Sequence, residues 1–255
     1  MKRRDFVIKS SLAAAAISSA SPGFAYINKY VGSSAPIRIG VIGTGDRGGG
    51  LISVMNGIEG IEVAACCDVI PFRLSNGMKR AGDSAKAYTD YRKLLEDKSI
   101  DAVLVATPFS THAQIELDAL AAGKHVYGEK TMAKGYDAVL DVVDAAQGNL
   151  VFQTGHQYHS SRLYTHVVDL IKDGKIGEIT AFECQWNRSG NWRRPVPEPE
   201  LERMINWRMY REYSGGLTAE LCSHQIDFTN WVLGETPSQV FGTGGIDYWK
   251  DGRET

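Results

Sequence analysis

From Ile37 onward, short apolar runs alternate with longer stretches in which apolar residues return every three or four positions. The runs at 37–43, 61–67, 101–106, 124–128 and 149–154, with a short one near Ala87, predict strands. The stretches 47–57, 71–81, 90–97, 111–122 and 134–147 have the period of helices. Ala102-Val103-Leu104-Val105-Ala106 offers no polar face, as a parallel strand covered on both sides requires. Strict strand–helix alternation predicts an α/β fold, a parallel sheet with right-handed crossovers. After Thr154 the pattern changes. A helix is predicted over 163–171, ending near Gly174, and an alternating strand over 178–186. A loop rich in Trp, Arg and Pro follows over 187–199, then a helix over 218–233 stopped by Gly234 and a further strand over 238–248. Two strands alone leave open edges. The expectation for 155–255 is therefore a partial α+β domain with an incomplete open sheet, in an N-terminal fragment of a longer protein.

The first strand leads directly into Gly43-Thr44-Gly45-Asp46-Arg47-Gly48, and the second ends at Asp68. Strand, glycine loop, helix, strand and acid in that order predict a Rossmann-type dinucleotide site over 34–154. Gly43 permits the tight turn, Gly45 lets the backbone approach a pyrophosphate, and Gly48 lets the helix pack on the strand. The pyrophosphate sits on the free N–H groups of the helix start. Asp68 can accept from both ribose hydroxyls, which favours NAD, because a carboxylate repels a 2′-phosphate. Arg73 and Arg47 leave NADP open.

Composition changes this picture little. At 255 residues, 43% apolar and 23% charged, the chain has the make-up of an ordinary globular protein. A net charge of −2 gives no pull toward nucleic acid or anionic membrane, and no apolar run is long enough to span a bilayer stably. The N-terminus does change it. Met1-Lys2-Arg3-Arg4-Asp5-Phe6, an alanine-rich stretch and Gly23-Phe24-Ala25 follow the order of an export signal, and Arg3-Arg4 resembles the twin-arginine type. Residues 1–33 are read as signal and linker, which predicts a periplasmic or otherwise exported protein carrying its nucleotide already bound. Cys66, Cys67, Cys184 and Cys222 have neither a disulfide framework nor metal-ligand spacing, and no metal site is expected.

Two constellations could carry chemistry. Glu129-Lys130 stands at the exit of the 124–128 strand, where ligands of open parallel sheets bind. Lys130 there could hydrogen-bond a substrate hydroxyl, with Glu129 as its partner, although a surface Lys–Glu pair fits the position equally well. On the 218–233 helix, Glu220, His224, Asp227 and Trp231 fall on one face. A histidine between two carboxylates could be a general base whose pKa they raise. Taken alone, the same face reads as the solvated side of an amphipathic helix.

Together with Thr107-Pro108 and His112, Gly123-Lys124-His125-Val126, and Gly215-Gly216 ahead of His224 and Asp227, these residues resemble the glucose–fructose oxidoreductase / inositol dehydrogenase (Gfo/Idh/MocA) family. The resemblance covers about 36–250. It implies an NAD(P)-dependent oxidoreductase acting on a sugar, glycoside or polyol, with Lys130 and His224 catalytic and Glu220 supporting. It also implies cofactor contacts from the glycine loop, Thr107, Pro108, His112, Glu129, Lys130 and Gln157, and substrate contacts from Lys130, His156, Trp186, Asn187, Arg188 and His224. Self-association of the full-length protein through its open sheet is a further implication. Thr131 replaces the family's usual proline, Glu220 its frequent aspartate and Cys222 its usual glycine. Two other activities remain compatible with this site: glycoside hydrolysis by transient NAD oxidation and elimination, and nucleotide binding without catalysis.

Overall fold

The computed structural model describes residues 35–188 and 190–255. The segment read as an export signal lies outside them. Six strands, β1 (Ile37–Ile42), β2 (Ile61–Cys67), β3 (Lys86–Tyr88), β4 (Ala102–Val105), β5 (His125–Gly128) and β6 (Phe152–Thr154), form one sheet in the order β3-β2-β1-β4-β5-β6. Every neighbouring pair is parallel. The crossovers carry helices α1 (Asp46–Met55), α2 (Pro71–Ala81), α3 (Tyr91–Glu96), α4 (His112–Ala121) and α5 (Tyr136–Ala145). This is a Rossmann-type fold, and its strand order reverses between β1 and β4, where a crevice opens at the carboxyl ends.

The sheet is buried on both faces because β1, β2 and β4 are apolar but for Arg38 and Glu62, which pair with each other at 2.6 Å. Val41, Cys66 and Leu104 face one core with Ile52 and Met55 of α1. Their neighbours Ile42, Cys67, Val103 and Val105 face the other, with Leu94 of α3 and Ile115, Ala119 and Leu120 of α4. All four cysteines are free, and burial pushes the thiols of Cys66 and Cys67 up to about 12, so these two are packing groups.

The remainder is built from α6 (Arg162–Lys172), the short α7 (Glu202–Ile205), a π-type turn over Thr218–Cys222, and α8 (Ser223–Leu233) closed by left-handed Gly234. The strands expected over 178–186 and 238–248 do not form, and after Thr154 the described residues contain no strand. A strand needs a neighbour for its backbone groups. These two segments pair neither with each other nor with the sheet, and Val240 and Phe241 stand almost fully exposed.

One buried group has no counterpart in the expectations. Glu116 of α4 is fully buried, and neither of its carboxyl oxygens has a hydrogen-bond partner. It lies against Gly128, where an added Cβ would come within 2.1 Å of Oε1. Burial pushes its carboxyl up to about 8. Below the ordinary glutamate range the group is protonated in both folded and unfolded chains. As pH rises from there to about 8 the unfolded chain loses a proton that the fold retains, so stability falls and then levels off. Glu116→Met, which removes the titrating group, is therefore expected to raise Tm more at about pH 8.5 than at pH 5. The difference should be several degrees, given about 2–4 °C per kcal/mol for a domain of 150–250 residues. Equal shifts at both pH values in thermal unfolding would contradict the assignment.

Candidate active site

At the switch point, Gly43 ends β1 with φ +89°, and a Cβ there would lie 2.7 Å from the Ala106 carbonyl. At Gly48 a Cβ would fall 1.9 Å from the Gly43 carbonyl oxygen, so α1 and the turn touch through bare backbone. Gly45 differs. It is the N-cap of α1 with no side-chain cap, and its Cβ position meets only the flexible Arg73 guanidinium at 3.5 Å. The first amides of α1 therefore lack a protein partner on that side, as an anion site requires. Buried Thr44 donates its N–H to Asp68 Oδ2 at 2.8 Å and its hydroxyl to the Arg73 carbonyl, which locks the loop to β2 and α2. The other Asp68 oxygen accepts from Ile70 N–H at 2.9 Å. Asp68 thus braces the loop while still lining the cleft.

The cleft has a volume of about 1260 Å³ and runs from Gly43, Gly45, Asp46, Arg47, Asp68 and Arg73 past Thr107, Pro108 and His112 to Glu129, Lys130, Gln157, Glu220 and His224. Two ends expected on separate grounds therefore share one cavity. A cleft that holds open helix amides and, beyond them, the half-buried Lys130 ammonium fits a dinucleotide with its reactive end toward Lys130. The side chain of His112 is buried, with Nδ1 3.0 Å from the Thr131 carbonyl and Nε2 3.0 Å from that of Thr107. Burial lowers its pKa. It joins the strand exits of β4 and β5 more than it faces a ligand.

The pairings differ from the expectation. Glu129 does not pair with Lys130. It binds Arg47 of α1, with its Oε1 2.7 Å from Arg47 Nη2. Lys130 donates instead to the Glu220 carbonyl, and Thr131 Oγ1 to the Ala219 carbonyl at 2.9 Å. The Lys130–Thr131 peptide is cis. The Glu220 carboxylate is held by Arg208 at 3.1 Å and by Ser214 Oγ at 3.3 Å, and Asp227 pairs with His159 at 2.9 Å. Neither acid bonds to His224, whose Nδ1 is buried without a hydrogen-bond partner. The turn over 218–222 is wider than an α-turn, which shifts Glu220 off the register that would place it over His224.

His224 instead sits among rings. Tyr158 lies 5.0 Å, His156 5.8 Å and Trp186 5.9 Å from it, centroid to centroid. Burial, then the nearby Lys130 and His156, push its pKa down to about 4, the reverse of the rise expected from flanking acids. Burial also lowers Lys130. His156 and Trp186 stand behind His224, and Arg188 and Gln157 line the cleft. Asn187 is exposed, donates to Gln185 Oε1 at 3.2 Å and does not line the cleft. Arg208, Ser214 and His159 have no local signal in the sequence, since their partners are set by tertiary packing.

The comparisons with known proteins agree with this geometry. Residues 37–156 match the family model "Oxidoreductase family, NAD-binding Rossmann fold", and residues 164–254 match the "GFO/IDH/MocA C-terminal domain". The chain belongs to the Gfo/Idh/MocA oxidoreductase family. Its first domain is an NAD-binding Rossmann domain. It is 31% identical over 231 residues to a glycosyl hydrolase family 109 protein of Shewanella amazonensis, covering 81% of this chain and 50% of that protein. It is 28% identical over 203 residues to inositol 2-dehydrogenase of Salmonella typhimurium, covering 78% and 55%. Among solved structures, scyllo-inositol dehydrogenase from Lactobacillus casei with bound NAD(H) and scyllo-inositol matches at 26% identity and a TM-score of 0.61, covering 78% of this chain and 56% of that one. The chain spans about half the length of the curated relatives it matches.

Gly48→Ala is expected to weaken NAD binding about ten-fold or more, roughly 1.4 kcal/mol, because its methyl meets fixed backbone. Gly50→Ala, two residues along α1 with nothing within 4 Å, should bind NAD as the parent does. Calorimetric titration of both decides it, and equal affinities would contradict the packing role of Gly48.

Proposed function

We propose that this protein is an exported, NAD-dependent oxidoreductase moving hydride between a hydroxyl-bearing carbon of a sugar, glycoside or polyol and the nicotinamide. The observation that carries this is the convergence of Lys130 and His224 in the cleft that also holds the glycine loop. Bound nicotinamide supplies the hydride acceptor. His224, kept neutral by burial, takes the hydroxyl proton. Lys130 has three N–H groups, of which the Glu220 carbonyl occupies one, so others are left to hold the substrate oxygen as negative charge develops. Glu220 acts at one remove: its carboxylate is neutralised by Arg208 while its backbone carbonyl aims Lys130. The rings around His224 pack against it from behind the cleft and shield it from water. Inositol dehydrogenases among the relatives support a polyol or sugar substrate, and Arg3-Arg4 supports export. Asp68 at the end of β2 supports NAD over NADP. Self-association of the full-length protein is part of the same reading.

The similarity to a glycosyl hydrolase family 109 protein favours a second reading, in which the same oxidation is transient and serves glycoside cleavage. Sugar release without net NADH would identify it.

The pH profile follows from the two shifts. As base, His224 must be uncharged, so the acid limb of kcat/KM should fall well below the ordinary histidine value of about 6.5. Lys130 must be protonated, so the alkaline limb should fall below the ordinary lysine value of about 10.4. Lys130→Met should lower kcat/KM by about 10²- to 10³-fold, the range for one lost electrostatic donor, and abolish the alkaline limb while NAD binding persists. An alkaline limb that survives in Lys130→Met would refute the role given to Lys130.

A further inference from the structure

The protein has a net charge of −2, yet eight cationic side chains line the cleft against five carboxylates. Most of the cations are matched. Arg47 pairs with Glu129, Arg194 with Asp46, Arg203 with Glu212 and Arg208 with Glu220, and Arg92 lies within 4.0 Å of Asp90 and Asp118. Among the described residues, three lining cations have no carboxylate in ion-pair reach: Arg73, Lys130 and Arg188. Two of these have a use. Arg73 lies over Gly45 at the glycine loop, and Lys130 is the group proposed above to hold the reacting hydroxyl. Arg188 is left over.

Its setting is specific. The guanidinium lies 5.1 Å from the Trp186 ring centroid and 6.0 Å from that of Trp192, and Trp186 in turn stacks on His224. Indole faces hold a guanidinium in place while leaving its N–H edge free. That edge is a planar fork, which matches a carboxylate with two parallel hydrogen bonds. The surroundings favour an anion as well. After burial, the positive charge of Lys130 is the largest influence keeping His224 uncharged, and Arg47 acts in the same sense.

We infer that Arg188 recognises a carboxylate on the substrate, so that the sugar bound at the Lys130–His224 end is an acid of the uronate class. This rests on the oxidoreductase reading of that end and narrows its substrate.

The test uses full-length protein saturated with NAD and a panel of hexuronates, each beside its parent hexose and hexose 6-phosphate. It measures both kcat/KM and dissociation constants by calorimetry. At least one hexuronate should exceed its parent hexose and its phosphate about ten-fold or more in both quantities, a gap typical of one charge-assisted contact. Arg188→Met should bring the uronate-to-hexose ratio close to one, and Arg188→Lys, a point charge without the fork, should fall between. Preference for a hexose or a hexose phosphate, or an unchanged ratio in Arg188→Met, overturns the inference. The two readings fail separately. Arg188-dependent uronate binding without NAD reduction would refute the oxidoreductase reading alone. Oxidation of hexoses without a uronate advantage would refute only the carboxylate.

Discussion

Lys130 is aimed by a backbone carbonyl ninety residues further along the chain. The segment that follows β5 is tied to the second half of the protein by three side chains that all donate to main-chain oxygens. These are Lys130 to Glu220, Thr131 to Ala219, and Lys134 to Arg211 and Glu212. Behind the segment, His112 lies within hydrogen-bond distance of the Thr131 carbonyl. Two of the acceptors belong to the π-type turn at the head of α8, a feature frequent at functional sites. The strand that delivers the ammonium and the helix that delivers the imidazole are therefore joined directly, and the distance between the two groups does not depend on a long loop.

The same packing gives each nearby carboxylate a hydrogen-bonded partner other than these two groups. Glu129 is taken by Arg47, the Glu220 carboxylate by Arg208, and Asp227 by His159. Had Glu129 paired with Lys130, a substrate oxygen would have to compete with a full negative charge. Had an acid bonded His224, its pKa would rise and the proton would be held at neutral pH. Diverting each acid to a different partner leaves a half-buried ammonium and an uncharged imidazole facing one space. Burial, which normally penalises unpaired polar groups, here keeps the imidazole uncharged, as a base must be, while it lowers the pKa of the ammonium.

Much of the fold was legible because its signals are local. Apolar runs at β1, β2 and β4 and a helix of the expected bounds at Pro71–Ala81 follow from composition and punctuation within a few residues. The glycine loop was legible for the same reason, since each glycine answers a steric demand made by adjacent backbone. What failed was non-local. The segments 178–186 and 238–248 carry strand periodicity, but a strand exists only with a neighbour, and none pairs with them. Glu220 was assigned to His224 by α-helical spacing, and the wider turn before Ser223 moved it to Arg208. Choice of ion-pair partner depends on how elements pack, which periodicity does not encode. Glu116 had no local signal, because its position on α4 becomes a buried one only when Gly128 packs against it.

In the proposed function Lys130 and His224 form a hydride-transfer site and not merely one wall of a nucleotide-binding module. Isotope transfer tests this most directly: the protein with NAD is incubated with sugars and polyols deuterated at their hydroxyl-bearing carbons, and the nicotinamide is examined by NMR. Deuterium at the nicotinamide C4 is the predicted result, and it is expected whether oxidation is net or transient. Absence of transfer from any substrate that measurably binds the NAD-loaded protein would contradict the account.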